Sequence, residues 1–423
     1  MTDAARLERA LGRLDARIDW ERRDRSKGWR VDLEPIRDLV GRAGHPERGF
    51  EVCHVAGSKG KGSVSSLIAA GLRRAGLEVG VFGSPHVERV NERVRIGARP
   101  AEDAVLAAAV EEALGVVAEA EAAGSAGGEA SWFDIMTLAG LCAFRAAGVD
   151  RAVLEVGLGG RLDSTNVIAP PALAVVTTIA LEHTAILGDT LGAIAREKGG
   201  IIKPGSRLVT GTPPDSEAGL VLAAMAAERG VPHAVAWSED DRTFEEANLR
   251  VARAALDDLG LSTPGLGGHL LGAEQVAEAR LPGRMEWFEL PDVPVLLDGA
   301  HVASSLDLAV REARAAWGGP WCGLVAVHGE KDLLELLAPL ARAGFERLFA
   351  TTVPGTGVHH PGEAVAAAAE ALGVPAEVHG TPEAALEAAR AWSGAQGARV
   401  MATGSLYLVG ALRGLLAGTE PLR

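Results

Sequence analysis

Residues 54–63, His-Val-Ala-Gly-Ser-Lys-Gly-Lys-Gly-Ser, lie where an apolar run, Phe50 to Ala56, meets a helical pattern from Ser63 to Ala75. Glycines at 57, 60 and 62 let successive backbone N–H groups turn toward one point without a Cβ in the way. The helix that follows directs its positive end to the same point. Lys61 can set a charge on β- and γ-phosphates, and the Ser63 hydroxyl can bind Mg²⁺. Gly57, Ser58, Lys59, Gly60, Lys61, Gly62 and Ser63 together read as a nucleotide triphosphate cradle. The spacing is not the strict GxxxxGK[ST], because Val55 stands where the first glycine would be. A plain structural turn is the competing reading; strand, glycine loop and helix in that order favour phosphate.

A loop of this kind needs a sheet behind it. Short apolar runs at Glu51–Ala56, Glu78–Gly83, Ala152–Val156, Ala172–Ile179 and Arg207–Gly211 alternate with helical stretches such as Glu102–Ala123 and Phe133–Ala147. A second series follows Pro282: Val295–Asp298, Cys322–Val327, Arg347–Thr352, Ala376–His379 and Arg399–Thr403. Such alternation implies parallel sheets wound with helices. The fold class is therefore α/β: a P-loop-type parallel-sheet ATP-binding domain over residues 1–280, then a smaller Rossmann-like domain over 281–423.

The chain has 423 residues, enough for a core that needs no disulfide. A formal charge of −14 argues against a nucleic-acid partner. Basic residues that could still face an anionic ligand are Lys59, Lys61, Arg89, Arg93, Arg95 and Arg161. Cys53, Cys142 and Cys322 are dispersed and odd in number, which suits reduced thiols in a cytoplasmic protein. Nothing resembles a signal peptide or a membrane span. A monomer acting on small molecules is expected.

In an open α/β sheet, ligands collect at the carboxyl ends of the strands. Ser84, Glu155 and His183 lie in or after successive strand candidates. With Ser63 they offer hydroxyl, carboxylate and imidazole groups to Mg²⁺ near a triphosphate. The alternatives are a strand-end cap for Ser84, a salt bridge for Glu155 and a surface position for His183. Lys198 lies on a helical stretch, Leu191–Lys198, where a solvated ion pair is the default. Lys203 is expected to end a helix or pair locally. Asp163 lies in a polar loop where a turn cap would suffice, and Phe133 could be core.

The glycine loop is spelled G-[ST]-[NK]-G-K-G-S. It resembles the ATP loop of the folylpolyglutamate synthase and dihydrofolate synthase family, within the Mur ligase superfamily. Further matching segments run in the family's order: Ser84-Pro85-His86 with Asn91-Glu92-Arg93-Val94, Glu155 to Asp163, Glu182-His183, Glu197 to Lys203, Pro282-Gly283-Arg284, Asp298-Gly299-Ala300-His301 and Thr403 to Leu408.

The resemblance implies an ATP-dependent amide ligase acting by way of an acyl phosphate. ATP is a substrate, and L-glutamate and a folate or dihydropteroate are its partners. It implies two magnesium sites served by Ser63, Ser84, Glu155 and His183, with Lys61, Lys198 and His183 as catalytic residues and Lys198 open to carbamylation by CO₂. Phe133 would stack on a pterin, Asp163 would hydrogen-bond it, and Arg93 would lie on the same side. Asn248, Arg284, Asp298 and His301 would contact ATP, and His301 and Ser405 the glutamate.

The chain departs from the family pattern in several places. Val302-Ala303 follow Asp-Gly-Ala-His where Asn-Pro is usual. Phe244-Glu245-Glu246-Ala247-Asn248 replaces H-Q-x-x-N, and Thr210 to Asn248 leaves little room for the usual hairpins. A Mur-type cell-wall ligase carries a uridine-nucleotide domain before its ATP loop, and too few residues precede Gly57 here for one. A non-ligase P-loop module needs no second α/β domain.

Overall fold

The computed structural model describes residues 2–19, 32–329, 331–354, 359–416 and 421–422. By compactness it forms two units. Residues 1–86 and 90–280 make the first, and residues 87–89 and 281–423 the second.

The first unit holds β1 (Glu51–Ala56), β2 (Val79–Phe82), β3 (Val94–Ile96), β4 (Arg99–Pro100), β5 (Arg151–Glu155), β6 (Leu173–Val176), β7 (Leu208–Thr210) and β8 (His233–Val235). Their order in the sheet is β4-β3-β2-β5-β1-β6-β7-β8. β1 is central, with β5 and β6 parallel on its two sides; Val55 pairs with Glu155 and with Val175. The sheet is not wholly parallel as expected. β3 runs antiparallel to β2, and β4 to β3. Strands of three and two residues are too short to show a period of two in sequence. The segment between Thr210 and Asn248 carries a helix, Glu217–Glu228, and the parallel edge strand β8.

Apolar cores cover both faces. Helices Asp103–Ala122 and Trp132–Ala147 supply Leu106, Val110, Ile135, Leu138 and Phe144 on one side. Helices Lys61–Arg74 and Phe244–Gly260 supply Val64, Ile68, Leu72, Val251 and Leu256 on the other. The central strands are buried on both faces, which is why they read as continuous apolar runs.

The second unit holds β9 (Glu286–Glu289), β10 (Pro294–Leu297), β11 (Trp321–Val325), β12 (Arg347–Ala350), β13 (Ala376–Val378), β14 (Arg399–Thr403) and β15 (Pro421–Leu422), in the order β13-β12-β11-β14-β10-β9-β15. Five are parallel neighbours; β9 and β15 add an antiparallel edge. Among the described residues no helix is long and apolar enough to cross a membrane.

Candidate active site

The helix after the glycine loop begins at Lys61, with Gly60 as its N-cap at φ 81°. Two of the glycines are required by position. Gly57 has φ 148°, and a Cβ there would stand 1.8 Å from Thr177 Oγ1. A Cβ on Gly60 would stand 2.1 Å from Asn248 Oδ1, so the asparagine side chain is pressed against the loop. Residues beyond β6 hold the loop from the other side. Thr177 Oγ1 donates to the Lys59 carbonyl (2.6 Å), and the Lys59 and Ser58 N–H groups donate to Thr178 Oγ1 and its carbonyl oxygen (3.3 and 2.7 Å).

Lys61 Nζ donates to the Gly57 carbonyl oxygen at 3.0 Å. Lys198, only 2% exposed, donates to the same oxygen at 2.9 Å and to Glu182 Oε1 at 2.8 Å. Burial, then the neighbouring Lys61 charge, lower the Lys198 ammonium to about 8, with Glu182 opposing. Burial pushes the Glu182 carboxyl up, but the cations at Lys198, Lys61 and His183 bring it net below its usual range.

Ser84 and Glu155 meet at the ends of adjacent strands. The Ser84 N–H lies 3.4 Å from Glu155 Oε2, and Glu155 is buried. His183 is exposed, has φ 46° and caps the short helix Thr184–Leu187. Among the described residues no three His, Cys, Asp or Glu side chains gather where they could hold a metal ion. Ser63, Ser84 and Glu155 offer hard oxygen donors that suit Mg²⁺, and a cation there would take its remaining ligands from phosphate and water.

On the far side of β5, the Phe133 ring stands 5.9 Å from Phe82 and lies over Gly157, where a Cβ would be 2.7 Å from its Cζ. Its neighbour Trp132 is core, with Nε1 donating to Asp15 at 2.9 Å. Arg93 is also buried: its guanidinium sits 4.7 Å over the Trp132 ring, and its Nε donates to His86 Nδ1 at 2.9 Å.

Asp163 caps its own turn. Oδ1 accepts from the Thr165 N–H and hydroxyl (3.0 and 2.5 Å), and Oδ2 from the Leu158 N–H (2.9 Å). Burial raises its carboxyl above the ordinary range while these donors oppose the rise. Lys203 is buried enough to fall to about 8 and ties down the Asn166 and Ile168 carbonyls at 2.9 and 2.5 Å. Two of the basic candidates are also engaged locally, Arg95 with Ser66 (3.1 Å) and Arg161 with Glu197 (2.9 Å).

In the second unit, Asp298 directly follows β10 and is buried. Its oxygens accept from the Met285 and Ala300 N–H groups at 3.0 and 2.9 Å. Burial raises its carboxyl, and the Arg284 charge opposes this. His301 is exposed, with Nδ1 2.9 Å from the Gly299 carbonyl. The Thr403–Ser405 turn closes on the same loop through Gly404 N–H donating to the Ala300 carbonyl (2.9 Å). Ser405 is buried, and its hydroxyl oxygen accepts from the Tyr407 N–H as the cap of the last helix, Leu406–Leu415. Val302 is the N-cap of helix Ala303–Ala316 and contributes no side-chain hydrogen bond there.

Residues 283–406 match the model of the Mur ligase glutamate ligase domain. The chain is 31% identical over 423 aligned positions to the folylpolyglutamate synthase of Lacticaseibacillus casei, with 92% of this chain and 95% of that protein covered. The chain belongs to the folylpolyglutamate synthase and dihydrofolate synthase family, in the Mur ligase superfamily.

It is also 36% identical over 295 residues to a probable bifunctional folylpolyglutamate synthase/dihydropteroate synthase of Haloferax volcanii; the match takes in 63% of this chain and 35% of that protein's length. Its fold superposes on folylpolyglutamate synthase of Mycobacterium tuberculosis complexed with ADP (TM-score 0.84, 26% identity, 100% of both chains). It also superposes on a bifunctional folylpolyglutamate synthase/dihydrofolate synthase with Mn, AMPPNP and L-glutamate bound (TM-score 0.78, 27% identity, 97% of this chain and 98% of that one).

Lys198 and Asn248 were named from the sequence, but two other supports of the glycine loop were not. Thr177 and Thr178 follow β6 as Ser84 follows β2, and their place at a strand end was the available signal. His54, inside a strand among apolar residues, gave none.

Proposed function

We propose that this chain uses ATP to join L-glutamate to the carboxylate of a folate, and also to that of dihydropteroate. ATP phosphorylates the acceptor carboxylate, the glutamate amine attacks the acyl carbon, and phosphate leaves as the amide forms. The observation that carries the reading is the pair of lysines meeting on the Gly57 carbonyl, in a loop braced by Thr177, Thr178 and Asn248. Fixed donors and charges of this kind stabilise the negative charge of a transferring phosphoryl group without reorganising.

Lys61 would follow the transferring phosphate, and the helix N-terminus at Lys61 would hold its oxygens. Ser63, Ser84, Glu155 and His183 would hold magnesium at two places; bound there, it would neutralise phosphate charge. Lys198 would act as its carbamate. The neutral amine adds to CO₂, forming an N–C bond and releasing a proton, and the product would offer an anionic oxygen to magnesium. Phe133, Asp163 and Arg93 would form the acceptor side. In the second unit Arg284, Asp298 and His301 would meet the nucleotide, and His301 with the Ser405 turn the glutamate. Three buried, unpaired cysteines suit a cytoplasmic enzyme.

Phosphate release assayed with ATP alone, with folate, and with folate plus glutamate tests the reading. Release that needs both co-substrates is expected. Hydrolysis indifferent to both would mark a nucleotide-binding module without ligase chemistry. Release driven by a cell-wall nucleotide in place of folate would mark the other branch of the superfamily.

A further inference from the structure

His54 lies in the middle of β1, fully buried. An imidazole costs free energy in such a place unless its polar atoms are paired. Its Nε2 is 2.9 Å from Thr165 Oγ1, while its Nδ1 is buried with no hydrogen-bond partner. The Thr165 hydroxyl has a single proton, and it goes to Asp163 Oδ1 at 2.5 Å. As the carboxylate, Asp163 only accepts, and the N–H groups of Thr165, Leu158 and Gly157 that converge on it favour that form against its burial. Thr165 can therefore only accept from His54, which fixes the proton on Nε2 and leaves Nδ1 as a bare lone pair. A lone pair without a partner costs less than a buried N–H without one, so the unpaired atom is on the cheaper side. Burial and the Lys203 charge, which push the imidazole down to about 3, keep it neutral.

We propose that His54 is a positioning residue for the acceptor side of the site. As the Nε2-protonated tautomer it orients the Thr165 hydroxyl, which orients Asp163, which holds the Gly157–Leu158 turn under the Phe133 ring. The relay runs from the strand that carries the glycine loop to the loop that would face the acceptor, and His54 and Thr165 touch neither substrate. It rests on the reading of Phe133 and Asp163 as acceptor contacts.

Two variants separate positioning from packing. The amide nitrogen of Gln reaches about where Nε2 stands, and that of Asn about where Nδ1 stands. His54→Gln should keep the acceptor KM within about twofold of the parent, whereas His54→Asn should raise it about tenfold or more with the ATP KM unchanged. Histidine ¹⁵N NMR of the full chain, with His54 assigned by its loss in His54→Gln, should show a protonated Nε2 and a bare Nδ1, unchanged from about pH 6 to 8. A protonated Nδ1, or a charge gained in that range, overturns the proposal. So does a His54→Asn protein with an unaltered acceptor KM while Asp163→Ala raises it. If neither variant moves the acceptor KM, the acceptor reading of this loop fails, and the role of His54 with it. Equal losses in both variants, shared by both substrates and by thermal stability, would reduce His54 to packing.

Discussion

Lys61 and Lys198 donate to one carbonyl oxygen, that of Gly57, although 137 positions separate them, as their numbers give (198 − 61). Two ammonium groups on one peptide oxygen repel each other, and the repulsion is part of why Lys198 is depressed to about 8. Both charges act on Glu182, and among the described residues it is Lys198 that also hydrogen-bonds its carboxylate.

Lys61→Ala should leave the fold intact and abolish ligation. Removing a charge that follows the transferring phosphate costs on the order of 10²-fold or more in rate. Turnover at saturating ATP checks this, with circular dichroism as the control for folding. A near-normal rate would mean that the lysine has no part in phosphoryl transfer.

Lys198 should make activity depend on dissolved CO₂. Stripping bicarbonate should slow the enzyme and adding it back should restore the rate, while Lys198→Ala is inactive and short carboxylic acids partly rescue it. A rate indifferent to bicarbonate argues that the free amine is the working form.

The same lysine should leave a trace in stability. Its folded value is about 8 against an ordinary 10.5. Between those values the unfolded chain holds a proton that the folded chain has lost, so this group makes stability rise with pH across that window. The stability of the parent minus that of Lys198→Met, from urea melts without CO₂, should increase from pH 8 to 10.5. A flat difference would mean the amine titrates alike in both states.

Asp163→Ala should raise the dihydropteroate KM by roughly 5- to 150-fold, the equivalent of about 1–3 kcal/mol for a lost buried acceptor, and leave the ATP KM near normal. Because the carboxylate also caps its turn, the variant should melt at lower temperature. Losses shared equally between the two substrates would assign it to the turn alone.

Gly60→Ala combines a left-handed backbone, costing about 1–2 kcal/mol with a Cβ, and a collision with Asn248. Trimming Asn248 to Ala in that background should recover part of the lost nucleotide affinity and not all of it. Strictly additive losses would show that the two side chains do not interfere.

The central strands were legible because burial on both faces makes them unbroken apolar runs, and the phosphate loop because its glycines and lysines are close in sequence. β3, β4, β8, β9 and the terminal β15 were not, since two to four residues at or next to a sheet edge carry no periodic signal. Residue types alone could not tell Phe133, which lies over Gly157, from Trp132, which is core. Nor could they show that the Ser405 hydroxyl is spent on a helix cap, because a hydrogen-bond partner two residues along is invisible until the backbone turns.

The glycine loop spans residues 57 to 63, yet what braces it comes from Thr177, Thr178, Glu182, Lys198 and Asn248. During synthesis the loop leaves the ribosome long before its supports do. A nascent chain stopped ahead of Asn248 would carry every residue of the nucleotide signature with one wall of the cradle missing. Nucleotide affinity should therefore arrive late and in one step as the chain lengthens, once the helix Phe244–Gly260 has emerged to pack on Lys61–Arg74. For this chain, the ability to hold ATP is itself a report that most of the first unit has finished folding.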